Sequence, residues 1–172
     1  MAKILFVNPV VREEDVPKHI PYGMALLAAI AEKKGHLVQV YDANAQRLPF
    51  SVLEDIYKAD DWDVIAIGGL TTTYTYIKKS CQLAKKISPR AVLMVGGGVI
   101  TSMPHDIMKW IPEIDLGIIG ESFVTFPEVL EKIDRKDHDF STTLGVCYRD
   151  QFGNSKLNGA RPVLHDLDVL PY

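Results

Sequence analysis

The sequence predicts an α/β domain built on a doubly wound, five-stranded parallel sheet with a small β-hairpin added at its C-terminal end. Three observations carry that prediction. Short all-apolar runs recur along the chain, as at Val64–Ile67 and Ala91–Val95, too short for helices and without polar alternation. Strands buried on both faces of a parallel sheet read this way. Amphipathic segments alternate with these runs: from Tyr76 to Ile87, Ile77, Cys81, Ala84 and Ile87 share one face, while Lys78, Lys79, Lys85 and Lys86 share the other. The runs also end abruptly in glycine or in turn residues, and in such sheets ligands sit over the carboxyl ends of the strands.

Taken in order, Lys3–Val7 is the first strand, closed by Asn8-Pro9. A loop of mixed charge and several prolines follows, longer than an ordinary strand-to-helix turn. Pro21 opens an alanine- and leucine-rich helix that Gly35 stops. His36–Asp42 is the second strand, Asp42-Ala43-Asn44 a turn, and Phe50–Ala59 a short helix. The third strand, its helix and the fourth strand form the central β-α-β unit. Val99–Met103 reads as a loop, Pro104 starts a helix to about Trp110, and Asp115–Ile119 is the fifth strand, with its helix over Phe126–Ile133. The simplest strand order is the flavodoxin-like 2-1-3-4-5. Thr143–Arg149 and Asn154–Asn158 flank Asp150-Gln-Phe-Gly as an edge hairpin. The expected organisation is a domain over 1–134, a hairpin extension over 135–159, and a linker from 160 to 172.

Composition narrows the function classes. With 172 residues, 47% of them hydrophobic, the chain can bury a core of its own. A net charge of −3 gives no general reason to bind nucleic acid or an anionic membrane surface. No apolar run reaches the ~18–20 residues of a membrane span, and Met1-Ala2-Lys3 runs straight into a strand, so a cytoplasmic protein is expected. Cys81 and Cys147 read as buried thiols in a reducing compartment. No Cys-x-x-x-Cys-x-x-Cys occurs, so the chain by itself holds no iron–sulfur cluster motif.

The candidate site residues gather at the strand ends. Gly68, Gly69, Gly96, Gly97, Gly98 and Gly120 let a backbone approach a ligand, or simply make tight turns. Their spacing is neither Gly-x-Gly-x-x-Gly nor a phosphate-binding loop ending in Gly-Lys-Ser/Thr. Thr71, Thr72, Thr73 and Thr75 supply hydroxyls to a pocket or cap the following helix. Glu121 receives a ligand donor or favours a helix N-terminus. His19 and His105 stand in loops as solvated side chains or metal ligands. No Ser/His/Asp or Cys/His constellation has sequence support, so a binding domain is expected, with no catalytic residue assigned.

Several of these stretches, in order, carry a resemblance. The first strand with Asn8-Pro9, the helix start Pro21-Tyr22-Gly23, and Gly35-His36 before the second strand come first. Ile67–Thr75, Val95–His105 and Asp115–Leu130 follow, and His165-Asp-Leu-Asp-Val-Leu-Pro-Tyr172 closes the set. Together they resemble the N-terminal, Rossmann-like cobalamin (B12)-binding domain of B12-dependent radical S-adenosylmethionine enzymes. The comparison extends to anaerobic Mg-protoporphyrin IX monomethyl ester cyclases and cobalamin-dependent methyltransferases. The resemblance implies a cobalamin held by Leu70, Thr71, Thr72 and Thr73 with Gly69, and by Gly96, Gly97, Gly98 and Val99. It implies Gly120, Glu121 and Thr125 closing one side, with Tyr22 and Gly23 under the corrin. It further implies a C-terminal radical domain in a longer parent, with S-adenosylmethionine and a [4Fe-4S] cluster bound there. The Asp-x-His-x-x-Gly motif of classical cobalamin domains is absent, which leaves His19 as the outside candidate for cobalt. Two other readings stand beside this one: a flavodoxin-like domain for a flavin or nucleotide, and a ligand-free docking scaffold.

Overall fold

The computed structural model describes residues 1–12, 14, 16–17 and 20–171. Five parallel strands form the centre of one sheet: β1 (Lys3–Asn8), β2 (Leu37–Asp42), β3 (Val64–Gly68), β4 (Val92–Gly96) and β5 (Leu116–Ile118). Two antiparallel strands, β6 (Val146–Arg149) and β7 (Ser155–Leu157), extend it, giving the order β2-β1-β3-β4-β5-β6-β7. The helices are α1 (Tyr22–Lys33), α2 (Ala43–Gln46), α3 (Val52–Lys58), α4 (Tyr74–Ile87), α5 (Gly98–Ser102), α6 (Pro104–Trp110) and α7 (Thr125–Asp134). The expected order 2-1-3-4-5 is therefore present, and the hairpin continues the same sheet beyond β5.

Strand alternation divides the core in two. Leu5, Val7, Ile65, Ile67, Leu93 and Val95 point to the layer of α3, α4 and α6, where Leu53, Tyr57, Ile77, Cys81 and Ile107 are fully buried. Their neighbours Ile4, Phe6, Val64 and Met94 point the other way, to α1 and α7, where Ala31, Phe126, Val129 and Leu130 pack. Apolar residues on both faces of each central strand are what make the strands continuous hydrophobic runs. Burial pushes the Cys81 thiol well above the ordinary thiol range. Among the described residues no helix is long and apolar enough to cross a membrane.

Two segments differ from the sequence expectation. Residues 99–103 are not a loop: α5 covers Gly98–Ser102. The β-branched Val99-Ile100-Thr101 argues against a helix on propensity, yet Val99 and Ile100 are completely buried. Gly117 on β5 leaves the room, since a Cβ there would lie 2.6 Å from Ile100 Cγ1. Tertiary packing overrides local preference. Residues 43–46 form a one-turn helix rather than a plain turn, held by the Asp42 carboxylate accepting from Ala45 N at 3.0 Å. Near the C-terminus, Leu167–Val169 makes a single 3-10 turn.

Candidate functional site

A cleft of about 460 Å3 opens over the carboxyl ends of β1, β3, β4 and β5. Two laced loops form its centre. Gly69 N donates to Gly96 O at 3.2 Å, and Val99 N donates to Gly69 O at 3.2 Å, so the turns after β3 and β4 are bonded backbone to backbone. That contact requires glycine at 97: φ is +85°, and a Cβ there would stand 2.6 Å from Gly69 O. Gly96 is different. Its φ lies outside the left-handed region and a Cβ would meet nothing within 4 Å, so its missing side chain opens space in the cleft wall.

Beyond Gly69, Leu70 starts a 3-10 turn over Thr71–Thr73 that leads into α4. Thr73 fixes this turn with one hydroxyl. Its Oγ1 donates to Leu70 O at 2.8 Å and accepts from Leu70 N at 3.1 Å. The loop after β5 is tied to α5, where Thr101 Oγ1 accepts from Gly120 N at 3.0 Å. On the first strand, Asn8 Nδ2 donates to Asp42 Oδ1 at 2.8 Å, fixing the rim next to Pro9.

Eleven of the sequence-predicted residues line this one cleft: Tyr22, Gly23, Gly68, Gly69, Leu70, Thr73, Gly96, Gly97, Gly98, Gly120 and Glu121. Five stand off it. Thr71 and Thr72 are exposed on the 3-10 turn and Thr75 on the first turn of α4. Val99 faces the core of α5. Thr125 is fully buried, its Oγ1 donating to Leu144 O at 3.2 Å and accepting from Arg161 Nε at 3.1 Å. Arg161 also pairs with Glu128, which pins the start of the C-terminal tail to α7. His105 lies on α6 near Ser155 Oγ, at 3.4 Å, away from the cleft. His19 falls outside the described residues.

Sequence reasoning did not find the floor. Phe6, Ala66, Met94 and Ile118 rise from the sheet, and Leu27 and Phe126 close over them from α1 and α7. The one available signal is Ala66, a small residue in an otherwise bulky central strand, which leaves space beside β3. Among the described residues the lining holds no lysine, arginine or histidine, and its polar side chains are Asn8, Tyr22, Thr73, Glu121 and Ser122. Among the described residues no group of three or more His, Cys, Asp or Glu could hold a metal ion. The arrangement is chemically a binding cleft: glycine backbone at the rim, hydrocarbon below.

Comparison with known proteins agrees with this geometry. A family model described as B12 binding domain matches residues 9–130. An uncharacterized methyltransferase of Pyrococcus horikoshii is 28% identical over 88% of this chain and 32% of its own. An anaerobic magnesium-protoporphyrin IX monomethyl ester cyclase of Rubrivivax gelatinosus is 23% identical over 96% of this chain and 31% of its own. The chain thus spans about a third of the length of these curated relatives. Among solved structures, the radical S-adenosylmethionine methyltransferase TsrM of Kitasatospora setae, with cobalamin and a [4Fe-4S] cluster bound, superposes with a TM-score of 0.78 at 17% identity. That superposition covers 95% of this chain and 30% of TsrM, and at such identity it shows a shared fold. With the family model covering most of its length, the chain belongs to the B12-binding domain family.

Proposed function

We propose that this chain is a cobalamin-binding module that holds B12 in place for a radical S-adenosylmethionine domain in a longer protein. One observation carries the reading: a cleft floored by hydrocarbon and rimmed by glycine backbone opens at the carboxyl ends of the parallel strands, in a chain of the B12-binding family. The fit to cobalamin is supported by size and by chemistry. About 460 Å3 accommodates a nucleotide-sized appendage rather than a whole corrinoid. The tail of cobalamin would occupy the cleft, and the corrin would lie across the mouth. Gly96 supports this, because a side chain there would fill the cleft wall. Leu70, half exposed, and the more exposed Tyr22 offer apolar surface at the mouth for the corrin edge.

Bound cobalamin supplies a cobalt centre that can carry a methyl group or exchange electrons. The chain's own residues bind and orient. Gly69, Gly96 and Gly97 set the backbone rim, Thr73 fixes the Leu70 turn, and Gly120 with Glu121 closes the side next to β5. A flavin or other phosphate-rich nucleotide is the weaker reading, because among the described residues no cationic side chain lines the cleft to meet its charge. S-adenosylmethionine and a [4Fe-4S] cluster would belong to the partner domain. Both cysteines of this chain are buried and free.

The test is a titration of the purified chain with hydroxocobalamin and methylcobalamin, followed by visible absorption. A saturable change in the corrin bands, weakened in Gly96→Ala, is the expected result. Absence of a saturable change up to about 1 mM, where binding is only about 4 kcal/mol, would overturn the reading for this chain.

A further inference from the structure

The floor of the cleft bears on which corrinoid it selects. Resting on the cobalamin reading above, we infer that this site discriminates among cobamides by their lower base, accepting an apolar benzimidazole and rejecting a purine. Among the described residues, the side chains that form the floor itself carry no N–H or O–H donor and no oxygen or nitrogen acceptor. Phe6, Ala66, Met94 and Ile118 belong to β1, β3, β4 and β5, whose backbones are joined in consecutive parallel ladders. Leu27 and Phe126 complete it, and Phe126 packs on Phe6 with ring centroids 5.5 Å apart. Of the lining side chains that bear polar atoms, Asn8 stands at the rim at the end of β1 with one amide N–H held by Asp42, and Thr73 spends its hydroxyl on both backbone groups of Leu70. Tyr22, at the start of α1, and Glu121 are exposed and Ser122 is only half buried, all at the mouth.

The chemistry of the two base classes differs at the edge that leads into such a floor. The six-membered ring of dimethylbenzimidazole presents carbon and two methyl groups, and its nitrogens stay on the five-membered ring nearest the ribose. Adenine presents an exocyclic amine and two ring nitrogens on its six-membered ring. Buried against Phe6, Met94 and Phe126, those groups would lose water and gain no partner. One unpaired polar group left in an apolar site weakens binding by about tenfold or more. A methylated carbocycle gains from the same surroundings, because each buried methyl is a favourable transfer out of water.

The experiment compares aquo-cobalamin with the corresponding adenine-containing cobamide, each titrated into the same chain by visible absorption. The expected result is saturable binding of both, with the adenine form at least about tenfold weaker. A phenolic cobamide, whose base lacks ring nitrogens, should bind within a few-fold of cobalamin. Met94→Gln and Ala66→Ser each put a hydrogen-bonding group on the floor and should narrow the ratio, with circular dichroism showing which of them keeps the fold. Equal affinity for the two cobamides, or tighter binding of the adenine form, overturns the selectivity while leaving cobalamin binding intact. Failure of every cobamide to bind sinks both readings together.

Discussion

Gly96 and Gly97 are adjacent and identical in composition, yet alanine at each should do opposite things. At Gly97, alanine meets two obstacles. The backbone sits at φ +85°, ψ −169°, a region that side-chain-bearing residues adopt only at a cost of about 1–3 kcal/mol. The new Cβ would also stand 2.6 Å from Gly69 O and 3.0 Å from Gly69 N. Those are backbone atoms of the laced loop, unable to swing away as a side-chain tip would, and overpacking of this kind costs about 1–3 kcal/mol more. Taking a total of about 3 kcal/mol, the melting temperature of a chain this size should fall by about 6–12 °C. At Gly96 neither obstacle exists. Alanine there restricts the unfolded chain and should leave stability unchanged or raise it by up to about 1 kcal/mol. Its methyl group projects into the cleft and should weaken cobalamin binding by about 1–3 kcal/mol. Calorimetric melting of both variants beside a cobalamin titration separates the two effects. A Gly97→Ala chain that melts with the wild type would refute the close-approach argument, and equal destabilisation of both variants would refute the distinction between them.

Other outcomes follow from single side chains. Thr73→Val keeps the shape but removes the hydroxyl that both donates to and accepts from Leu70; urea melts should show a loss of about 1–2 kcal/mol, with Thr73→Ser close to wild type. His36 is buried and accepts Ala2 N on Nδ1 at 3.1 Å, and desolvation holds its pKa below the ordinary 6.5. The unfolded chain therefore takes up this proton first, so the neutral ring's contribution is complete above pH about 6.5 and is lost as pH falls below it. Urea midpoints at pH 7.5 and 5.5 should differ in that direction, and the difference should shrink in His36→Leu. Cys81 and Cys147 are both buried, and burial raises both thiols. A colorimetric thiol reagent should find almost none in the native chain and both in urea; rapid reaction of the native protein would contradict the packing.

Much of the scaffold was legible because parallel strands announce themselves as apolar runs with glycine ends, and because α4 shows its buried face in four residues. The rim of the cleft was legible for the same reason: glycines mark strand ends. The floor was not, because Phe6, Met94 and Phe126 read like any other core residues. Nothing local says that the space above them is open. The helix at Gly98–Ser102 was hidden by its β-branched composition, and only the gap left by Gly117 on another strand explains it. The surroundings of Thr125 depend on Arg161, 36 residues away, a contact no periodicity encodes.

The hairpin has a consequence for traffic along the chain. β5 ends at the cleft, α7 carries the chain away from it, and residues 135–145 bring it back to pair Val146 with Ile118. β6 then descends and β7 returns, with Leu157 level with Cys147 and Asn158 bonded to Val146 O at 3.0 Å. An even number of extra strands restores the starting end by parity. Residue 160 therefore departs from the mouth of the cleft, and Arg161 clamps it there. Under the proposed function, a catalytic domain tethered by a short linker from that point would face bound cobalamin at an effective concentration in the millimolar range, without needing any affinity of its own.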